Sequence, residues 1–170
     1  MSVTNCHVPN SGSDGVTGTY PDTSATVLIA MSNIAVGEYL TAVIDIDTSP
    51  IGTDAISAAT LYWYHVSYTK TPKAETYQRL ISVGSSTILD STATPPAAGW
   101  HSHALEAGEL ASINKTGNTR VWLQVGDPTI QQRNWQIRAW DYSPTGTFSC
   151  YLEVTHAAAG GPTTVSILGV

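Results

Sequence analysis

Two pairs of like residues, each spaced by two, could do chemistry in this chain of 170 residues: Asp45 with Asp47, and His101 with His103. In an extended strand, side chains two apart project to one face with their Cα atoms about 7 Å apart. Two carboxylates held that way can hold a calcium ion or divide acid and base roles at a glycosidic bond. Two imidazoles can ligate a transition metal. The histidines read as surface polar positions on a strand and the aspartates as solvated charges that keep an edge from sticking, with Asp47 bonding backbone at the Ser49-Pro50 turn. No metal and no cofactor are expected. The motifs of serine hydrolases, zinc proteases and phosphate-binding loops are missing, which points away from an enzyme. Cys6 and Cys150 can meet only if the N-terminus lies over the last strand. Two unbonded thiols are expected, with Cys150 at a buried strand position. His65, beside Trp63, reads as a core-edge histidine held by a hydrogen bond.

The other chemical signal is aromatic. In residues 119–126, Val121, Leu123 and Val125 alternate with Arg120, Trp122 and Gln124; in 134–142, Trp135, Ile137 and Ala139 alternate with Gln136, Arg138 and Trp140. Period 2 of this kind marks strands with one face on a core. If the two strands pair, Arg120, Trp122, Gln124, Gln136, Arg138 and Trp140 share one surface. In 58–68, Leu61 and Trp63 face the core, and Tyr62 and Tyr64 face the other way to join that surface. Aromatic rows flanked by Gln and Arg serve as sugar platforms or as protein interface hot spots, and cross-strand packing alone is the third reading.

The elements that must position these residues are strands. Apolar, β-prone runs recur at 24–31, 38–47, 58–68, 76–83, 86–90, 99–105, 119–126, 134–142 and 147–155, separated by turns such as Ser143-Pro144-Thr145-Gly146. One short helix is expected within 104–113. This predicts an all-β fold, a single jelly-roll β-sandwich of about eight or nine antiparallel strands with extended terminal arms. Residues 1–22 read as an irregular arm, 23–156 as the sandwich, and 157–170 as a flexible tail with a short strand at 163–168 that must find a sheet on its own domain or on a neighbour. Only 12% of residues are charged and the net charge is -6. Seven Lys and Arg supply no cationic cluster for nucleic acid or an anionic membrane. No signal-peptide pattern or membrane span is seen, so a soluble chain made in the cytoplasm is expected.

The strand YLTAVIDID followed by Ser49-Pro50, the run ISAATL leading into an aromatic strand, Gly99-Trp100, the segment ALEAGEL, Trp122 to Val125 and the final YLEVTH together resemble DNRLRE-type jelly-roll domains. The resemblance covers residues 23–156. Such modules occur in surface proteins, polysaccharide-degrading systems and some phage particles. Low charge and a Ser/Thr-rich surface suit assembly, and the arm and the jointed C-terminal segment suit exchange between subunits. A non-enzymatic structural or interaction protein on a virion surface is therefore expected, such as a capsid decoration or other head or tail accessory protein. The partners expected are further copies of the chain, as a homo-oligomer and by analogy a trimer, and a capsid or other virion protein. The alternative is a carbohydrate-binding module that recognises a polysaccharide through exposed Trp and Tyr side chains.

Overall fold

Runs that alternate branched or aromatic residues with polar ones pack best on a pleated, half-buried surface, and such runs make most of this chain extended. The computed structural model describes residues 1–9, 14–18, 27–33, 38–67, 77–84, 88–92, 97–125, 133–138 and 150–157, with side-chain burial and contacts for 1–9, 41–65, 83–84, 97–123 and 150–157. Among them are eleven strands: β1 (Ser2–His7), β2 (Asp14–Gly18), β3 (Val27–Asn33), β4 (Glu38–Asp47), β5 (Ala55–Ser67), β6 (Tyr77–Val83), β7 (Ile88–Thr92), β8 (Gly99–Ala104), β9 (Asn118–Val125), β10 (Arg133–Arg138) and β11 (Tyr151–Ala157). A 3-10 turn covers Ser49–Ile51, and a five-residue helix, α1, covers Ala107–Ala111. The all-β class expected from the sequence is the one observed.

Every described pairing is antiparallel. Backbone bonding runs through all eleven strands, in two wings. In one, β5 carries β11 on one edge and β8 on the other, and β1 closes the far side of β11. In the second, β4 lies between β2 and β9, and β9 leads on to β6 and β7. The ribbon of β10 and β3 joins the wings, β10 to β5 and β3 to β4.

The inward rows of both wings meet in one core. Ala42, Ile44 and Ile46 of β4, Val121 and Leu123 of β9, and Val83 of β6 pack with Ala59, Leu61 and Trp63 of β5, Leu152 and Val154 of β11, and Cys6. Leu61, Leu123 and Leu152 are wholly buried, which removes apolar surface from water at about 25 cal/mol per Å². One end of the core is fastened by hydroxyls. Thr48 is fully buried, and its Oγ1 lies 2.6 Å from the Asn114 carbonyl, 2.8 Å from that of Gly117 and 2.7 Å from Thr119 Oγ1. These bonds satisfy a turn that would otherwise bury unpaired polar groups.

Two expectations are corrected. The irregular arm over residues 1–22 contains β1 and β2. β1 is regular because all six of its residues pair with β11; β2 pairs with β4. The paired surface of 119–126 with 134–142 does not form. Residues of β9 pair with β4 on one edge and β6 on the other, so no edge is left for β10, which pairs with β3 and β5. The tail at 158–170 lies outside the described residues, and Ala157 belongs to β11.

Cys6 and Cys150 are both buried, and neither is in a disulfide. The Cys6 thiol is pushed up from 9.0 to about 11, first by burial and then by the negative charge of Asp47. The unfolded chain therefore releases this proton at lower pH than the folded one. The stability this represents is complete below pH 9.0 and is lost as pH rises through the window to about 11. In urea titrations the wild-type midpoint is expected to fall across that window more steeply than the midpoint of Cys6→Ala.

Candidate functional site

The pleat of β5 turns Leu61 and Trp63 into the core and leaves Tyr62 and Tyr64 on the outer face, both half-buried. Register then adds neighbours. Tyr151 of β11 lies opposite Tyr62, His7 of β1 opposite Tyr151, and Trp100 of β8 opposite Tyr64. The Tyr62 and Tyr151 rings stack at 4.8 Å between centroids and 10° between planes. Trp100 meets Tyr64 and Tyr151 edge to face, each at 5.7 Å, and His7 reaches Tyr151 at 5.4 Å. Five rings from four strands thus form one continuous patch, and Trp100 is 42% exposed at its surface. Offset and edge-to-face pairs of this kind hold the rings in fixed positions. Asn5 and Glu153 form a directly opposed pair beside the patch, and Ser102 lies opposite Tyr62. The Tyr151 phenol is raised above its ordinary range, chiefly by burial and then by Tyr62 and Glu153, so it is a neutral hydroxyl at physiological pH.

The expected face is therefore only partly assembled. Tyr62 and Tyr64 belong to it, while Arg120 and Trp122 sit on β9 in the other wing. Arg120 forms a two-pronged ion pair with Asp45, directly across the β4 and β9 ladder, at 2.8 and 2.7 Å. The hydrogen bond and charge of Asp45 hold the guanidinium further towards its charged form, against a small effect of burial. The same guanidinium lies 6.0 Å from the Trp122 ring, within cation–π range. Gln124, Gln136 and Arg138 have described strand positions only, and Trp140 lies outside the described residues.

Each of the four metal candidates has a hydrogen-bond partner within the protein. Asp45 binds Arg120, and Asp47 Oδ1 accepts from the Ser49 backbone at 3.0 Å and its hydroxyl at 2.6 Å. His101 Nε2 donates to the Ala97 carbonyl at 2.8 Å, and His103 Nε2 donates to Glu109 Oε2 at 3.0 Å. Glu109, 1% exposed, also accepts from the Glu106 backbone through Oε2 in the box that caps α1, while its Oε1 has no hydrogen-bond partner. Among the described residues no group of three or more His, Cys, Asp or Glu could hold a metal. His65 is buried, with Nδ1 3.3 Å from the Ala97 carbonyl, as expected of a core-edge histidine.

No family model matches the sequence, and no curated protein matches it. Among solved structures the chain is similar to an exo-β-1,3-galactanase from Phanerochaete chrysosporium, determined with galactose, at a TM-score of 0.39 and 12% identity. The match covers 91% of this chain and 30% of that one. A likeness of that size carries no argument about activity.

Three residues far apart in sequence form a hydrogen-bonded relay that no local motif announces. Asp54 Oδ2 accepts from His156 Nδ1 at 2.6 Å, and His156 Nε2 shares a hydrogen bond with the Thr4 hydroxyl at 2.8 Å. The order is acid, imidazole, hydroxyl, and it ties edge strand β1 and the start of β5 to the end of β11. Nor does any local motif place His7, Trp100 and Tyr151 on one face. Trp100 sits in the polar run GWHSHAL, and only the pairing of β8 with β5 brings it beside tyrosines. Replacing His156 with Ala removes both relay bonds, at an expected cost of about 1–3 kcal/mol. Hydrogen exchange of the β1 amides is expected to accelerate more than that of β5, because β1 has only one described neighbour strand.

Proposed function

We propose that the chain is a non-enzymatic interaction protein that works through the aromatic face of β1, β11, β5 and β8. In this reading it is a self-associating component of a phage virion surface, a capsid decoration or other head or tail accessory protein, with further copies of itself and a capsid or other virion protein as partners. The observation that carries the interaction role is the exposed Trp100 set in a fixed group of four more rings. Trp and Tyr in such settings supply most of the energy of protein interfaces, because large rigid rings leave water at little entropic cost. The resemblance to jelly-roll modules of phage particles supports the virion setting.

Oligomerisation tests this directly. Light scattering across a concentration series is expected to find a homo-oligomer, and Trp100→Ala to weaken its association by about 2 kcal/mol, roughly thirtyfold. A wild type that stays monomeric at the highest concentration would sink the self-association.

A second reading, carbohydrate binding, is favoured by the polar rim of Asn5, Ser102 and Glu153 around stacked tyrosines, since sugars combine ring stacking with hydrogen bonds. Polysaccharide that quenches tryptophan fluorescence in the wild type, but not in Trp100→Ala, would replace the self-association reading with this one. The non-enzymatic part has its own check at the relay. Covalent labelling of Thr4 by a fluorophosphonate, abolished by His156→Ala, would overturn it.

A further inference from the structure

Strand β1 pairs with β11 along one side, over six residues and with no shift of register. Among the described residues no strand pairs with its other side, and its further hydrogen bond, between Thr4 and His156, also runs to β11. A free row of backbone N–H and C=O groups is a template for another strand, and proteins blunt such edges with charged side chains, proline, a bulge or a cover. The run SVTNCH has no Lys, Arg, Asp, Glu or Pro, its ladder has no bulge, and Ser2, Val3, Asn5 and His7 are exposed. We propose that this edge pairs with β1 of a second copy of the chain, antiparallel about a two-fold axis normal to the sheet, with each Val3 opposite its counterpart.

Three observations select a second copy as the occupant. The first is symmetry. Cys6 enters the core, so Val3, Asn5 and His7 form the outer row of β1, and His7 reaches Tyr151 on the aromatic face. An axis normal to the sheet, passing between two Val3 residues, opposes outer residue to outer residue and satisfies both edges at once in a closed pair. The second is apolar surface. Val3 is 62% exposed, and the register that opposes it to its counterpart covers both. The same register sets Ser2 opposite Thr4 and Met1 opposite Asn5, so no charged side chain enters the contact. The third is charge. At a net charge of -6 two copies repel, yet the carboxylate of β11, Glu153, lies opposite Asn5 and so one strand in from the edge. Three strand spacings of about 4.8 Å keep the two Glu153 residues at least about 14 Å apart, beyond the screening length of about 8 Å at physiological salt. Because β11 already holds β1 in place, little order is lost when a partner strand arrives. The contact is separate from the aromatic face: the sheet of β8, β5, β11 and β1 continues into the copy and sets both groups of rings on one side.

The test uses the full chain carrying Trp100→Ala, which weakens association through the face and leaves the edge intact. Analytical ultracentrifugation is expected to find a dimer. In that background Val3→Lys and Val3→Glu each set like charges opposite one another, and each is expected to weaken the dimer about fivefold at low salt. An equal mixture of the two is expected to recover the affinity of the parent, as dimers of one Lys chain and one Glu chain; recovery also shows that both variants fold. A nitroxide on Val3→Cys gives a second reading. Opposed Cβ atoms lie about 5 Å apart, so its spectrum is expected to broaden in the dimer and to sharpen on dilution. Cys6 and Cys150 are buried and take up little label. A parent that stays monomeric, variants that dimerise as tightly as it does, a mixture no tighter than its components, or a spectrum without broadening would each overturn the edge pairing. None of these results bears on the face, which the comparison of Trp100→Ala with the wild type tests by itself.

Discussion

The pleat of β5 is the constraint on which the first wing depends. Thirteen residues long, it has both edges occupied, by β11 and β10 on one side and β8 on the other, so it cannot slip without breaking three ladders. A shift of one residue would expose Leu61 and Trp63 and push Tyr62 and Tyr64 into the core. The same alternation that secures the core therefore presents the aromatic face. Stability and binding surface are two sides of one strand.

Among the described residues, several polar groups away from that face are committed to internal partners. Asp45 holds Arg120, Asp47 closes its own turn, Glu109 caps α1 while holding His103, and Asp54 holds His156, which holds Thr4. The bonds from Asp45 to Arg120 and through Asp54, His156 and Thr4 join segments distant in sequence, and together with the buried Thr48 and Thr119 pair they fasten loops to strand ends. A low charge content is compatible with such a structure because few ions need to be satisfied. The aromatic face offers ring surface for recognition, and Trp100 is 42% exposed on it.

Local pattern located nine strands well, since each is a run of β-prone residues bounded by Gly, Pro, Asp or Asn. It missed β1 and β2, where SVTNCH and DGVTG have too few apolar residues to announce a buried face. β1 is ordered by its partner: Cys6 enters the core only because β11 supplies all six pairings. Tyr62 and Tyr64 were legible as outward residues from the alternation of β5. Arg120 and Trp122 were also legible as outward, but not as members of a different wing, because alternation reports a side of a strand and carries no information about which strand lies beside it.

The division between chain and fold follows from that. By itself the sequence determined the all-β class, most strand positions and the face of each residue, because a period of two is a local property of an extended backbone. Tertiary structure alone decided that β9 lies between β4 and β6, that His7, Trp100 and Tyr151 gather around Tyr62, and that Asp54, His156 and Thr4 join in a relay. Those outcomes depend on which edges remain open once other strands have paired, and edge occupancy is a property of the whole sheet.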